Sequence, residues 1–330
     1  MSRPVPAEWA PHRAMWLGFP SHEDLWEDNL APAQDEVEAL ARALAGPGGE
    51  RVRLMTGSDA GEAEARRRLD GVTGIEIVPG RFGDVWLRDT GPIFLGPEAC
   101  VGFRFNGWGG KYDLPHDDEV AAQVAGAAGA TLLQSEAVLE GGALDHDGEG
   151  TVLTTRQCLL NPNRNAGWTE TRAEAVLARD LGARKVLWLG DGLQNDHTDG
   201  HVDNLARFVA PRTLVAVTES DTSSPNHLPL RENLRRLRET RLRDGGRLEI
   251  IELPLPKAIH LAERDLPPSH ANFLIVNGGV LVPTYGQKSD DAALGILREA
   301  FPGRKVVGID CRVLLIEGGA LHCLSQQQPA

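Results

Sequence analysis

Cysteine is scarce in this chain of 330 residues: four thiols, Cys100, Cys158, Cys311 and Cys323, with no Cys-x-x-Cys spacing and no paired framework. That argues against a disulfide scaffold or a cysteine-ligated zinc site and makes a reducing cytoplasm the expected compartment. Positive charge is also short, with 34 Lys and Arg against 47 Asp and Glu and a formal net charge of -13. A nucleic-acid partner needs a basic face, so none is expected. The acidic balance is compatible with steering a cationic small molecule into a cleft. No apolar stretch approaches the length needed to cross a bilayer, so no membrane partner is expected. The opening MSRPVPAEWAPHRAMW has neither the apolar core nor the small-residue cleavage signature of a signal peptide. There is no Walker A motif, and the Gly-rich run FRFNGWGGKY is a weak phosphate signal because no helix N-terminus follows at once. No Ser/Gly-rich linker or low-complexity tract divides the chain, so residues 1–330 read as a single domain. Its 41% hydrophobic and 25% charged residues are ordinary globular values.

What is present is a repeated plan. Apolar spacing predicts helices near residues 32–45, 60–69, 117–128, 169–181, 229–243 and 290–301. In the first, Val37, Leu40, Ala41 and Leu44 fall on one face and Pro32 stands near the start. Most of these helices precede a short β-rich run, such as VRLM, KVLWLG or KVVGI. Hairpin-like pairs lie between them: VWLRDTGPIF with CVGFRF, VDNLARF with TLVAVT, and NFLIVNGGVLVPTYG. Polar, Gly-marked landmarks at Asp89, Gly141, His201, Asn272 and Gly319 are separated by 52, 60, 71 and 47 residues, which suggests five diverged units. The strand-like AMWLGFP lacks a partner before it, and VLLIEGGALHCLSQ lacks a helix after it. The two are therefore expected to pair and close a ring. LPLPK and DLPPSH read as a long loop and a candidate lid.

The chemistry-bearing residues cluster at the landmarks. Cys323 follows a Glu-Gly-Gly turn and adjoins His322. DVWLRDTGP holds Asp84 and Asp89, which an extended segment would send to opposite faces. HVD puts His201 and Asp203 two apart, on one face if the segment is a strand. Asp196, His197 and Asp199 in the same loop raise the thought of a metal, but the spacing lacks H-E-x-x-H geometry and no metal or cofactor is expected. LEGGAL and IEGGAL repeat a pattern. Glu140 is the better orienting acid, because Glu317 shares its segment with the thiol. Indoles at Trp86 and Trp108 suit the faces of a flat guanidinium. A thiol, an imidazole and several carboxylates are the parts needed to attack a guanidinium carbon.

Long motifs in the same order now carry a resemblance: PAEWAPHRAMWLGFP, VWLRDTGP, FNGWGGKY, LEGGAL, LTTRQCLLNPNRN, DGHVDNLARF, NGGVLVPTYG and GGALHCLSQQ. The chain resembles the agmatine deiminase branch of the guanidine-modifying enzymes, which includes the bacterial peptidyl-arginine deiminase type. The resemblance implies an α/β fold, the five-bladed α/β propeller (pentein) of pseudo-fivefold ββαβ units. It implies a hydrolase that converts agmatine to N-carbamoylputrescine and ammonia, in polyamine and putrescine biosynthesis. Arginine, peptidyl arginine or amidine transfer stand as alternatives. By the same resemblance Cys323 is the nucleophile, His201 the general acid and base, Asp89 and Asp203 the pair that grips the guanidinium, and Glu140 the acid orienting His201. Trp86, Trp108, His197 and Gly318 belong to the substrate pocket. Agmatine-specific members carry an acid four positions before the motif histidine, and here that position is His197, with Asp196 and Asp199 nearby. Relatives often dimerise, so a homodimer is implied as well.

Overall fold

A computed structural model describes residues 4–262 and 264–330. Its construction follows from what parallel strands require. Two parallel neighbours cannot be joined by a tight turn, so a crossover must intervene, and a helix with one apolar face is the usual solution. Five crossovers of this kind occur. Strand His12–Phe19 reaches Val52–Thr56 through helix Leu30–Ala45. Ala99–Arg104 reaches Thr131–Val138 through Val120–Ala128. Thr151–Thr155 reaches Lys185–Leu189 through Glu170–Leu181. Thr213–Thr218 reaches Glu249–Pro254 through His227–Glu239, and Gly279–Thr284 reaches Lys305–Asp310 through Lys288–Ala300. Val37, Leu40, Ala41 and Leu44 are all buried beneath the first helix, as the 3.6-residue period requires.

Each pair gains one antiparallel strand on its inner side: Ile93–Gly96, Asp145–His146, Ala206–Ala210 and Leu274–Val276 for the last four units. In the first unit that strand comes from the other end of the chain. Ser325–Pro329 runs antiparallel to His12–Phe19, with Met15 opposite Gln327 and Leu17 opposite Ser325. The expected pairing of the two terminal segments is therefore present. Successive units touch in turn. Strand Ser325–Pro329 packs on Ile93–Gly96, Asp145–His146 on Ala206–Ala210, helix Lys288–Ala300 on Glu249–Pro254, and helix Leu30–Ala45 on Lys305–Asp310. Ser135 Oγ donates to Asp180 at 2.7 Å to link the second and third. The result is a closed ring of five ββαβ units. No helix among the described residues is long and apolar enough to cross a membrane.

The segments that carry chemistry depart from the sequence reading. In VWLRDTGPIF the strand is limited to Ile93–Gly96, and Leu87–Thr90 is a helical turn. HVD is a 3-10 turn, Val202–Asn204, and the strand begins at Ala206. VLLIE is likewise 3-10 (Leu314–Glu317), so the last unit ends in turns followed by a strand. The proposed lid loop contains a small hairpin, Ile259–Leu261 with Arg264–Leu266.

The middle of the ring is polar. Glu8, Arg88, Asp145, Arg207, His322 and Gln326 are all buried there. Arg88 donates to the side-chain oxygens of Gln326 and Gln327 at 2.7 Å each. Arg207 is bonded to Asp145 at 2.9 Å and to Glu8, and Glu8 also accepts from the Ile275 amide at 2.7 Å. A carboxylate and a guanidinium so far from water persist only as partners. Glu8→Ala is therefore expected to destabilise the chain by roughly 3–5 kcal/mol, because it removes one of the two carboxylates that hold Arg207 in the interior. Urea denaturation followed by circular dichroism measures this, and an unchanged midpoint would refute it.

Candidate active site

Two turns from opposite ends of the sequence are tied together at the backbone. The amide of Arg88 donates to the Cys323 carbonyl at 3.0 Å, and Arg88 Nε to the His322 carbonyl at 3.2 Å. This fixes Asp89, one residue on, relative to the thiol. Asn272 grips the same turn from a third unit. Its Oδ1 accepts from the amides of His322 (2.9 Å) and Cys323 (3.3 Å), and its Nδ2 donates to Cys323 Sγ at 3.1 Å. In the fourth unit, Thr198 Oγ1 accepts from the His201 amide at 3.1 Å, and the 3-10 turn that follows brings Asp203 round beside it.

These turns converge at Gly142. A side chain there would place its first carbon 2.6 Å from His201 Nδ1, 2.8 Å from Asp89 Oδ1 and 3.1 Å from Asp203 Oδ2. Only a glycine allows so close an approach. Its amide donates to Asp89 Oδ1 at 2.9 Å, and Trp108 Nε1 donates to Asp89 Oδ2 at 2.9 Å. Cys323 Sγ lies 3.7 Å from Asp203 Oδ2. His201 lies between two acids, with Nδ1 3.7 Å from Asp89 and Nε2 3.6 Å from Glu140. His201 and Asp203 are completely buried, and Asp89 and Cys323 nearly so. Both ring nitrogens of His201, and Asp203 Oδ1, have no hydrogen-bond partner among the described residues. Buried polar atoms without partners are costly and rare, and three of them together mark a place built for a ligand.

The charges are tuned to match. Burial works against the imidazolium of His201, but Asp89, Cys158 and Glu140 outweigh it and hold the ring's pKa well above its ordinary value. Burial also opposes ionisation of Glu140, yet His201 and Arg164 keep its pKa low. Asp203 is held low in the same way, by His322 at 2.8 Å and by His201. Asp89 goes the other way. Burial raises it, and the carboxylates of Asp203 and Glu140 raise it further than His201 can offset. Burial, then Asp203 and Asp89, push the Cys323 thiol well above its ordinary range. A cation set against Asp89 and Asp203 would reverse the sign of the field that opposes the thiolate.

Outside this cluster opens a chamber of about 430 Å³. Trp86, Trp108, His197 and Gly318 all line it. Gly318 has φ 96°, in the left-handed region, and a side chain there would meet the His197 ring at 2.0 Å. His197 packs edge-on against Trp108 and Tyr112, and burial lowers its pKa, so the ring is neutral at pH 7. Asp199 is not free to replace the expected acid. It is bonded to Lys111 at 2.7 Å, to Asn163 at 3.0 Å and to Arg164. Asp196 Oδ1 accepts from Thr198, and the residue does not line the chamber.

Three contributors had no role assigned from the sequence. Asn272 appeared only as a landmark. Arg164 donates to Glu140 Oε1 at 2.8 Å, and Cys158 Sγ lies 3.9 Å from Glu140 Oε2. Both come from LTTRQCLLNPNRN, a motif long enough to have signalled them. Glu140, Cys158 and His201 also offer ligand atoms within 4.8 Å of one another, a donor set that could hold a metal ion.

A buried thiol, an imidazole and paired carboxylates meet within a five-unit α/β ring, which places the chain among the enzymes of the α/β-propeller class. The chain belongs to the Porphyromonas-type peptidyl-arginine deiminase family, which it matches over residues 4–329. It is 38% identical over 356 residues to the agmatine deiminase of Stutzerimonas stutzeri (strain A1501), covering 99% of this chain and 95% of that one. The solved agmatine deiminase of Enterococcus faecalis superposes with a TM-score of 0.91 at 30% identity, covering 99% of this chain and 95% of the other. A C. jejuni agmatine deiminase with substrate bound superposes with a TM-score of 0.90 at 29% identity, covering 99% and 96%. The fold is thus the α/β propeller that the resemblance implied.

Because a side chain at position 142 would run into all three polar groups, Gly142→Ala is expected to lower kcat/KM by about 100-fold or more while the circular dichroism spectrum is retained. Activity within a few fold of wild type would show that the three groups need not meet there.

Proposed function

We propose that the chain hydrolyses the guanidinium group of agmatine to N-carbamoylputrescine and ammonia. One observation supports this above the others: Asp89, Asp203 and His201 converge, with unpartnered buried atoms, beside a thiol. A planar cation with N–H groups on two edges is the complement of two carboxylates so placed. Full-length similarity to agmatine deiminases makes agmatine the first substrate to test.

The geometry supports a role for each residue. Asp89 and Asp203 take the guanidinium N–H groups and hold its carbon in reach of Cys323. Arrival of the cation favours ionisation of the thiol, whose proton passes to solvent, and Sγ attacks the carbon. The tetrahedral adduct collapses by breaking one C–N bond. His201, already protonated, gives its proton to the departing ammonia and leaves a thiouronium on Cys323. Neutral His201 then takes a proton from water, whose oxygen attacks the same carbon. Loss of the thiolate gives the ureido product. Glu140, anchored by Arg164, keeps His201 oriented and favours its charged form. Asn272 supports the thiolate by its hydrogen bond to Sγ. Trp86 and Trp108 flank the alkyl chain. All four cysteines are free thiols, which supports a reducing cytoplasm as the compartment.

Ammonia release from agmatine and the mass of the ureido product test the reaction directly. Cys323→Ala is expected to abolish both, and residual turnover by that variant would sink the mechanism. The raised Cys323 pKa gives a second test. With the free thiol favoured at neutral pH, alkylation by neutral iodoacetamide should be slow at pH 7 and keep rising beyond pH 9. Cationic 2-chloroacetamidine supplies its own positive charge, so at pH 7 it should inactivate at least about 10-fold faster than neutral 2-chloroacetamide. Equal rates for this matched pair would mean that the cation does not assist ionisation.

A further inference from the structure

The chamber must also read the far end of the substrate, and His197 offers no negative charge for that purpose. Three carboxylates line the chamber: Asp84, Asp265 and Glu317. Asp84 has both oxygens engaged, one by the Val85 amide at 2.7 Å and the other by Trp86 Nε1 at 2.6 Å. Burial, with Asp117 adding to it, pushes Asp84 up to about 8, so it holds its proton at neutral pH. Asp265 stands on the rim hairpin and is bonded to His260. Glu317 differs from both. It is half-buried, lines the chamber beside Gly318 and His197, and makes no hydrogen bond or ion pair with any described residue. The cation nearest in effect is Arg264 of the rim hairpin, an exposed side chain that also lines the chamber.

We infer that Glu317 receives the distal ammonium of the substrate, in place of the acid absent at position 197, and that Arg264 competes with that ammonium for it. This rests on the deiminase reading and assigns its tail specificity. The geometry favours it because the chain places Glu317 just before the turn that carries the nucleophile. One short segment, residues 317–323, thus reads one end of the substrate and attacks the other. A half-buried carboxylate without a partner gains most from an incoming cation, since its desolvation is already in place before binding.

The test is the ratio of kcat/KM for agmatine to that for n-pentylguanidine, in which a methyl replaces the ammonium. Glu317→Gln is expected to lower this ratio at least about 10-fold, chiefly through KM for agmatine, and Glu317→Asp to restore part of it. Arg264→Ala should raise the ratio a few fold, an effect of opposite sign that a merely structural role would not produce. A ratio in Glu317→Gln within twofold of wild type overturns the assignment. So does a loss of discrimination confined to His197→Ala, which would place recognition on the imidazole. Wild-type enzyme that turns over neither guanidine overturns the deiminase reading itself, and the assignment falls with it.

Discussion

Three carboxylates, Asp89, Asp203 and Glu140, are buried around one imidazole, and most of the centre of the ring is arranged to make that tolerable. Like charges this close in a low dielectric repel strongly, and each needs its own compensation. Glu140 has Arg164, and Asp203 has His322. Asp89 has only neutral donors, the Trp108 indole and the Gly142 amide, together with a share of His201. Asp89 therefore has the least charge compensation of the three, and a cation beside it would supply what is missing. The same arithmetic of charge explains His201. Acids on two sides keep it protonated although it is entirely enclosed.

Behind this cluster lies a supporting layer. His322 bridges Asp203 to Glu8, with 3.0 Å between Nε2 and the Glu8 carboxylate, and Glu8 is held in turn by Arg207 and the Ile275 amide. Arg88 joins the turn of Asp89 to that of Cys323 and gives its Nη1 donors to the glutamines of the last strand. A thiol on a loop is thus held by hydrogen bonds from several units, and the closure of the ring supplies their fixed geometry.

The regular elements were legible because their signal is local. Val37, Leu40, Ala41 and Leu44 recur at the helical period, and the strands after the helices are short apolar runs. Ring closure was legible from two unpaired strand-like ends. The site segments were not, because their conformation is set by distant partners. VWLRDTGP alternates like a strand, yet its turn is fixed by the Cys323 carbonyl from the far end of the sequence. The two-residue spacing of His201 and Asp203 suits a strand, but a 3-10 turn, entered from a His201 whose amide is bonded to Thr198, delivers both to the same point. Cys158 is chemically indistinguishable in sequence from Cys100 and Cys311, and only its neighbours Glu140 and His201 set it apart.

The contact between Glu8 and His322 spans 314 residues of chain. Ribosomes deliver residues in order, so Glu8 is made long before Arg207, and longer still before His322. For that interval its carboxylate must remain hydrated, because no interior yet exists that could hold it. Contacts of such separation also carry a high loop-closure entropy and slow the final approach to the native state. The earlier units can collect their helices and parallel strands as they emerge. The centre that needs Glu8, Arg207 and His322 together cannot close until the last strand is able to dock against the first.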